Sequence, residues 1–150
     1  MARLRLLLEG HAYHVASVTR DRVPIFRDAP KAQVLIDALQ WLRRERSYLL
    51  AYVVMPDHFH AVLVPRDSQT ISSVMQSVKG YSARCLNGEG RGSLWQQSFY
   101  DRVMRNKRHL VQTVRYIHDN PVVAGLATHP EDYQMSSAFP GAITDLETFL

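Results

Sequence analysis

The sequence predicts an α+β fold of the ferredoxin-like kind, with a four-stranded antiparallel sheet and two helices on one face. Three observations predict it. Runs of β-branched and aromatic residues alternate with segments of helical periodicity in the order β-α-β-β-α-β, the two central runs are separated by only two residues, and a further helical segment follows the last strand. With 150 residues, 46% of them hydrophobic and 21% charged, the chain has the size and composition of one globular domain.

The first strand and the first helix are bounded by turn and cap residues. Residues 11–18 are rich in tyrosine, valine and histidine and follow Gly10. Asp28 is expected to cap a helix that has Pro30 in its first turn. Apolar residues then recur at helical spacing, at Leu35, Ala38, Leu39 and Leu42.

The centre of the sequence predicts a β-hairpin. Tyr48–Met55 and His58–Val64 are strand-like runs separated by Pro56-Asp57, a pair that suits the central positions of a type I turn. A second amphipathic helix is expected from about Thr70, followed by a flexible glycine-rich loop over residues 87–93.

A fourth strand and a third helix complete the pattern. Phe99–Met104 is expected to be the strand. Asn106 should cap the helix, and Asn120-Pro121 should stop it. Its apolar stripe is predicted at Leu110, Val111, Val114 and Ile117.

The charge is unevenly distributed along the chain. Residues 1–127 hold all 18 lysines and arginines against 10 carboxylates, whereas residues 128–150 hold four carboxylates and no lysine or arginine. We therefore expect a basic domain over residues 1–127 and an irregular acidic tail over 128–150 packed on or near it. Fifteen of the cations are arginines, which suits a phosphate-bearing partner but is equally explained by a GC-rich genome.

Cysteine usage and apolar runs predict where the protein acts. The single Cys85 cannot form an internal disulfide, which favours a reducing compartment. The longest apolar run, Leu49–Met55, is too short to span a bilayer, and residues 6–8 are too short for the core of a signal peptide. The sequence predicts a cytoplasmic protein that does not associate with a membrane.

Two histidines form the first candidate site. His58 and His60 lie two residues apart on a predicted strand, so their side chains project from the same face. Phe59, Ala61 and Leu63 occupy the other face and suit a core. The pair is either an ordinary half-buried feature of the strand or a site for metal or phosphate chemistry.

Tyr116 is the second candidate. On a helical wheel it lies roughly 160° from the apolar stripe, on the polar face, and Asn120 follows four residues later on that face. Tyr116 is therefore either a surface residue or a presented hydroxyl. A phenol acts as a nucleophile only when its pKa is lowered from about 10 or its proton is removed.

Three segments in this order resemble the single-tyrosine HUH transposases, and most of all their REP-associated tyrosine transposase branch. They are residues 52–63 (YVVMPDHFHAVL), 94–102 (LWQQSFYDR) and 116–126 (YIHDNPVVAGL). The sequence departs from the family pattern at Val123, where lysine is common, and at Met135, where tryptophan is common. These departures leave the nucleophile and ligands intact and bear on which DNA is recognised.

The resemblance implies a metal-dependent nickase and strand transferase for single-stranded or hairpin DNA. It implies that His58 and His60 bind Mg²⁺ or Mn²⁺, that Asn120 is the third ligand, and that Tyr116 attacks a backbone phosphate to form a 5′-phosphotyrosine. It further implies a cytoplasmic protein at the nucleoid of a prokaryote, either a monomer or a homodimer. Phosphate contacts are expected from seven basic residues, Arg20, Arg22, Arg102, Arg105, Lys107, Arg108 and Arg115, unless these form a plain solvated face.

Three alternative functions compete with this interpretation. A histidine-triad nucleotide hydrolase would need a third histidine where the chain has Val62. A non-catalytic RNA-binding module would explain the basic charge but neither the aligned histidines nor Tyr116. An inactive, domesticated transposase that binds hairpins would keep the fold without using the four site residues, all of which are present.

Overall fold

A computed structural model describes residues 11–87 and 94–150, with Asn87 described in its backbone only. The predicted order of elements is confirmed. The strands are β1 (Tyr13–Val18), β2 (Ser47–Met55), β3 (His58–Pro65) and β4 (Tyr100–Val103). The helices are α1 (Ala29–Glu45), α2 (Ile71–Asn87), α3 (Lys107–Val123) and the one-turn α4 (Leu146–Phe149). The glycine-rich loop predicted at 87–93 lies, from residue 88 on, outside the described residues.

The four strands form one sheet in the order β2-β3-β1-β4, and every neighbouring pair is antiparallel. This is the ferredoxin-like arrangement that the sequence predicts. In the register of β1 with β3, Ala16 lies opposite His60 and His14 lies opposite Val62. Because residues opposite one another share a face, His14 and His60 project diagonally from the same face of the sheet.

The other face of the sheet packs against α1 and α2. Phe59, Ala61 and Leu63 of β3 are fully buried there, as expected. Burying a large side chain of this kind contributes about 1.5–3 kcal/mol. Asp28, the predicted cap, precedes α1, although its side chain makes no capping hydrogen bond. α2 begins after Thr70, as expected, and the Oγ1 of Thr70 accepts from the backbone N–H of Ser73.

α3 packs on the face that carries the histidines, mainly over β2. Its buried residues Leu110, Val114 and Ile117 form a second core with residues of β2 and β3 such as Val53 and Val62. The predicted stripe was wrong at Val111, which is 40% exposed. Each residue turns the helix by about 100°, and this step from Leu110 takes Val111 off the buried face. Thr113 and Pro121 lie on the buried face instead.

The predicted end of α3 at Asn120-Pro121 was also wrong, because the helix continues to Val123. Pro121 cannot donate to the carbonyl of Ile117 and its ring crowds that carbonyl, but only one hydrogen bond of the last turn is lost. The helix ends in a Schellman motif, in which the N–H of Leu126 donates to the carbonyl of Pro121 and that of Gly125 to Val122. Gly125 has φ +77°, the left-handed conformation that this motif requires.

Residues 128–150 run along β2 and the end of α1. Val53 forms a bridge with Ser136, and Leu49 donates its N–H to the Asp145 carboxylate, which also pairs with Arg43 at 3.2 Å. Phe149 is buried in the second core. The division of the chain at residue 127 stays a prediction. Within residues 11–87 and 94–150, no helix is long and apolar enough to cross a membrane.

Candidate active site between β3 and α3

His58 and His60 project from the face of β3 that α3 partly covers. Alternation along the strand puts Phe59 into the helix-packed core and turns both imidazoles to the opposite side. Their ring centroids are 5.1 Å apart and the rings are nearly perpendicular. The strand therefore presents two adjacent imidazoles from one rigid element.

His58 is oriented by the preceding residue. Its Nδ1 lies 2.7 Å from the Oδ1 of Asp57, and the other carboxylate oxygen of Asp57 pairs with Arg22 at 3.3 Å. The backbone carbonyl of Asp57 accepts from the N–H of Thr19, which anchors the turn to the end of β1. Partial burial raises the pKa of Asp57, but the hydrogen bonds and charges of His58 and Arg22 outweigh it, so the net shift is downward. Asp57 is thus held as a carboxylate beside the ring.

His60 is oriented by His14 of β1. The Nε2 of His14 lies 3.0 Å from the Nδ1 of His60, and the ring centroids are 5.2 Å apart. Burial is the main cause that lowers the pKa of His60 to about 3 and that of His14 to about 4. The charges of His14 and His58 add to the shift of His60, and those of His109 and Arg102 add to the shift of His14. Both rings are therefore neutral at pH 7.

Tyr116 of α3 lies over these histidines. Its ring centroid is 5.7 Å from that of His60 and 6.0 Å from that of His14, in both cases edge-on. The side chain is 54% exposed, in agreement with its predicted place off the apolar stripe. The hydroxyl-bearing ring is therefore accessible from solvent and faces the histidine pair.

Asn120 lies one helical turn beyond Tyr116 and is half-buried. Its backbone carbonyl accepts from the N–H of Ala124, so it has helical geometry despite the proline that follows. Its side-chain amide makes no hydrogen bond to any of the described residues.

An open groove of about 480 Å³ runs between α3 and strands β1 and β4. Its lining includes His14, His60, Tyr100, Arg102, His109, Gln112 and Tyr116. Sequence analysis missed His14 and His109 as site residues, and it named Asp57 only as a turn residue. A signal for His109 was present in the sequence. His109 and Gln112 precede Tyr116 by seven and four residues, so all three lie on one face of α3.

All seven basic residues that were predicted to contact DNA are exposed. Of the seven, Arg102 lines the groove, whereas Arg22 pairs with Asp57 beside His58. Arg20 belongs to the turn after β1, Arg105 precedes α3, and Lys107, Arg108 and Arg115 lie on the exposed side of α3. Of the seven predicted cations, the structure brings Arg102 into the lining of the groove and does not bring in the other six.

The donor set fits a divalent cation with two imidazole ligands. Asp57 and His14 lie at hydrogen-bond distance from the Nδ1 atoms of His58 and His60, so the Nε2 atoms are the ones that could coordinate a metal. No group of three or more histidine, cysteine, aspartate or glutamate side chains in the described part of the chain forms a metal site. A third protein ligand would therefore be of another type, such as the amide of Asn120.

Comparison with known proteins points to one family. The family model described as "Transposase IS200 like" matches residues 8–120 of the chain. The chain is also similar to the REP-associated tyrosine transposase of Escherichia coli (strain K12), with 29% identity over 107 residues. That match covers 70% of this chain and 63% of the relative, so the chain spans less than two thirds of the relative's length.

Two solved structures share the fold. A REP-associated tyrosine transposase bound to a REP hairpin superposes with a TM-score of 0.73 at 24% identity, over 86% of this chain and 77% of that one. A crystal structure of a protein assigned as a transposase from Deinococcus radiodurans R1 gives a TM-score of 0.51 at 24% identity, over 72% and 88% of the two chains. At these identities the likeness establishes the fold alone.

Proposed function

Because the chain belongs to the IS200-like transposase family, we propose that it is a metal-dependent single-stranded DNA endonuclease and strand transferase that uses Tyr116 as its nucleophile. The observation that carries the proposal is the position of Tyr116. An exposed tyrosine on α3 lies with its ring centroid 5.7 Å from that of His60, one of two imidazoles whose Nδ1 atoms lie beside Asp57 and His14. A nucleophile and a cation site would then meet at one scissile phosphate.

In the proposed reaction the Oη of Tyr116 attacks the phosphorus of a backbone phosphodiester. A new bond forms between phosphorus and Oη, and the phenol gives up its hydrogen to solvent. The bond between phosphorus and the 3′ oxygen breaks, and that oxygen takes up a hydrogen from solvent and leaves as a 3′-hydroxyl. The product is a 5′-phosphotyrosine. Because the ester keeps the energy of the broken bond, a 3′-hydroxyl can attack it in the reverse direction and rejoin a strand without ATP.

His58 and His60, with Asn120 as the third ligand, would hold a divalent cation, Mg²⁺ or Mn²⁺. Such a cation polarises the scissile phosphate and stabilises the departing oxygen when it is bound. Asp57 and His14 orient the two rings, so each ligand is held by an outer partner. Softness alone would favour a metal such as Zn²⁺ for two imidazoles, so the choice of Mg²⁺ or Mn²⁺ follows from the family resemblance.

The groove beside Tyr116 suits a single strand. Arg102 and His109 provide donors for phosphate oxygens, and Tyr100, which is 48% exposed, provides a ring on which a base can stack. The proposed substrate is DNA at a hairpin-forming repeat, since a protein of the same fold has been solved with a REP hairpin.

The test is formation of a covalent adduct with DNA. The protein is incubated with labelled single-stranded hairpin oligonucleotides and Mg²⁺ or Mn²⁺, and a denaturing gel should show a shifted band that EDTA and Tyr116→Phe abolish. Tyr81→Phe is the matched control, because Tyr81 stacks on Trp41 away from the groove, and it should leave the adduct unchanged. An adduct that survives Tyr116→Phe would overturn the assignment and direct attention to Tyr100. Hairpin binding without any adduct would favour the inactive, domesticated transposase.

A further inference from the structure

We propose that His14 is a positioning residue that accepts the Nδ1 hydrogen of His60 and so holds His60 in the tautomer whose Nε2 can bind a divalent cation. The inference rests on the proposed function for the use of that cation.

The geometry between the two strands sets up this contact. His14 lies opposite Val62 and His60 lies opposite Ala16, so the two histidines are diagonal neighbours on one face of the sheet. At that position the Nε2 of His14 lies 3.0 Å from the Nδ1 of His60, a hydrogen-bond distance. The strand pairing therefore fixes the ring of His60 through a residue 46 positions earlier in the chain.

Only one hydrogen can lie between these two nitrogens while both rings are neutral. If His14 donates it, the remaining hydrogen of His60 is on Nε2, and that atom cannot coordinate a metal. If His60 donates it, the Nε2 of His60 keeps a free lone pair, and the hydrogen of His14 is on its own Nδ1. The second arrangement is the one that a metal-binding histidine requires.

The surroundings of His14 favour a neutral ring, which has one nitrogen without a hydrogen and can therefore accept. Arg102 and His109 both carry or can carry positive charge near it, and burial disfavours a charged imidazole. The rings of Tyr100 and Tyr116 contact it edge-on, at centroid distances of 5.3 and 6.0 Å, and restrict its rotation. His14 is therefore held in the orientation that offers its Nε2 to His60.

The two proposed ligands consequently have chemically different outer partners. His58 donates to the carboxylate of Asp57, whereas His60 donates to a neutral imidazole. A carboxylate partner raises the basicity of a ligand imidazole more than a neutral acceptor does. His60 should therefore be the weaker of the two ligands, and its tautomer should be the more sensitive to loss of its partner.

The first test measures the tautomer without metal. Two-bond ¹H–¹⁵N correlation spectra of the full chain in EDTA distinguish Nδ1–H from Nε2–H imidazoles, and His60→Gln assigns the His60 signals among the seven histidines. We expect His60 to carry its hydrogen on Nδ1 in the wild type. A wild-type His60 with its hydrogen on Nε2 would overturn the proposal, and this measurement needs no variant of His14.

The second test compares two substitutions of His14. His14→Leu removes the acceptor, whereas His14→Gln keeps an amide oxygen that can accept. Mn²⁺ affinity, measured by calorimetry without DNA, should fall 10- to 100-fold for His14→Leu and stay within a few-fold of wild type for His14→Gln. His129→Leu controls for the loss of one histidine, because His129 is exposed and belongs to the segment after α3.

The outcomes separate this inference from the proposed function. Equal Mn²⁺ affinity of wild type and His14→Leu would overturn the inference, and so would equal losses in the leucine and glutamine variants, which would indicate a packing role. If His60 shows the expected tautomer and the variants differ as expected, but no DNA adduct forms, the inference stands and the nuclease proposal fails. If adducts form normally in His14→Leu at limiting Mn²⁺, the nuclease proposal stands and the inference fails.

Discussion

The Oδ1 of Asp57 lies 2.7 Å from the Nδ1 of His58, so the carboxylate orients the ring of the residue that follows it in the chain. The second histidine of the pair, His60, is oriented from a different strand. The two proposed ligands thus depend on different parts of the fold, one on the β2–β3 turn and the other on the pairing of β1 with β3. This difference allows their contributions to be tested separately.

Removing the charge of Asp57 should weaken metal binding. Asp57→Asn keeps an oxygen that can accept from His58 but loses the negative charge beside the ring, and outer partners of this kind contribute 10- to 100-fold in metal affinity. We expect a loss in that range for Mn²⁺, measured by calorimetry without DNA. Arg22→Gln is the matched control, because it removes the other partner of Asp57, a side chain that is 66% exposed and contributes little. A comparable loss of affinity in both variants would contradict a role that is specific to the pair of Asp57 and His58.

Arg102 should contribute a phosphate contact to DNA binding. It lines the groove beside His14, whereas Arg44 is exposed on α1, on the other side of the sheet. Arg102→Gln should weaken binding of a single-stranded oligonucleotide and lower the slope of log affinity against log salt by about 0.7–0.9, the value for one phosphate contact. Arg44→Gln should leave both unchanged. An unchanged slope for Arg102→Gln would place the DNA backbone elsewhere.

The faces of individual elements could be predicted from the sequence. Alternation along β3 put His58 and His60 on one side and Phe59 in the core, and the helical wheel put Tyr116 off the apolar stripe. These predictions need only the period of a strand or a helix. Val111 was misassigned because the sequence does not specify which residues lie at the centre of the buried face of α3. That centre depends on how β2 packs against the helix.

The relations between elements could not be predicted in the same way. His14 contacts His60 only because of the register between β1 and β3, and one sequence does not specify which residues of two distant strands lie opposite one another. Asp57 was recognised as a turn residue, but its contact with His58 depends on the side-chain orientation within that turn. The extent of α3 was underestimated because the Schellman motif at Gly125 stabilises the last turn after Pro121.

The metal-free protein should lose stability as the pH falls from about 6.5 towards 5. The folded-state pKa values of His14 and His60, about 4 and about 3, lie below the ordinary value of 6.5. In this range the unfolded chain therefore binds protons that the folded chain does not, and the free energy of unfolding decreases with falling pH. Each group contributes at most about 1.4 kcal/mol per pH unit. Urea titrations in EDTA at several pH values measure the slope.

The variants that test this pH dependence replace histidines with glutamine. The double variant His14→Gln/His60→Gln should show a shallower loss of stability between pH 6.5 and 5, because neither position can then take up a proton. His129→Gln, at an exposed position, should keep the wild-type slope. If the double variant retains the full slope, the destabilisation arises from other groups, of which the half-buried His118 is the first candidate, because partial burial also lowers its pKa.

Two glycines should respond to alanine with opposite signs. Gly125 ends the helix that carries Tyr116 and Asn120, with φ +77°, and an added Cβ would meet no atom within 4 Å. Gly125→Ala should therefore destabilise the fold by about 1 kcal/mol through backbone strain alone. Gly80 lies inside α2, where an added Cβ would contact only the flexible end of Arg84 at 3.4 Å. Gly80→Ala should raise the free energy of unfolding by about 0.5–1 kcal/mol, because glycine is the costlier residue within a helix. Urea denaturation of both variants at pH 7 measures the pair, and a stabilised Gly125→Ala protein would show that α3 does not end in the left-handed turn.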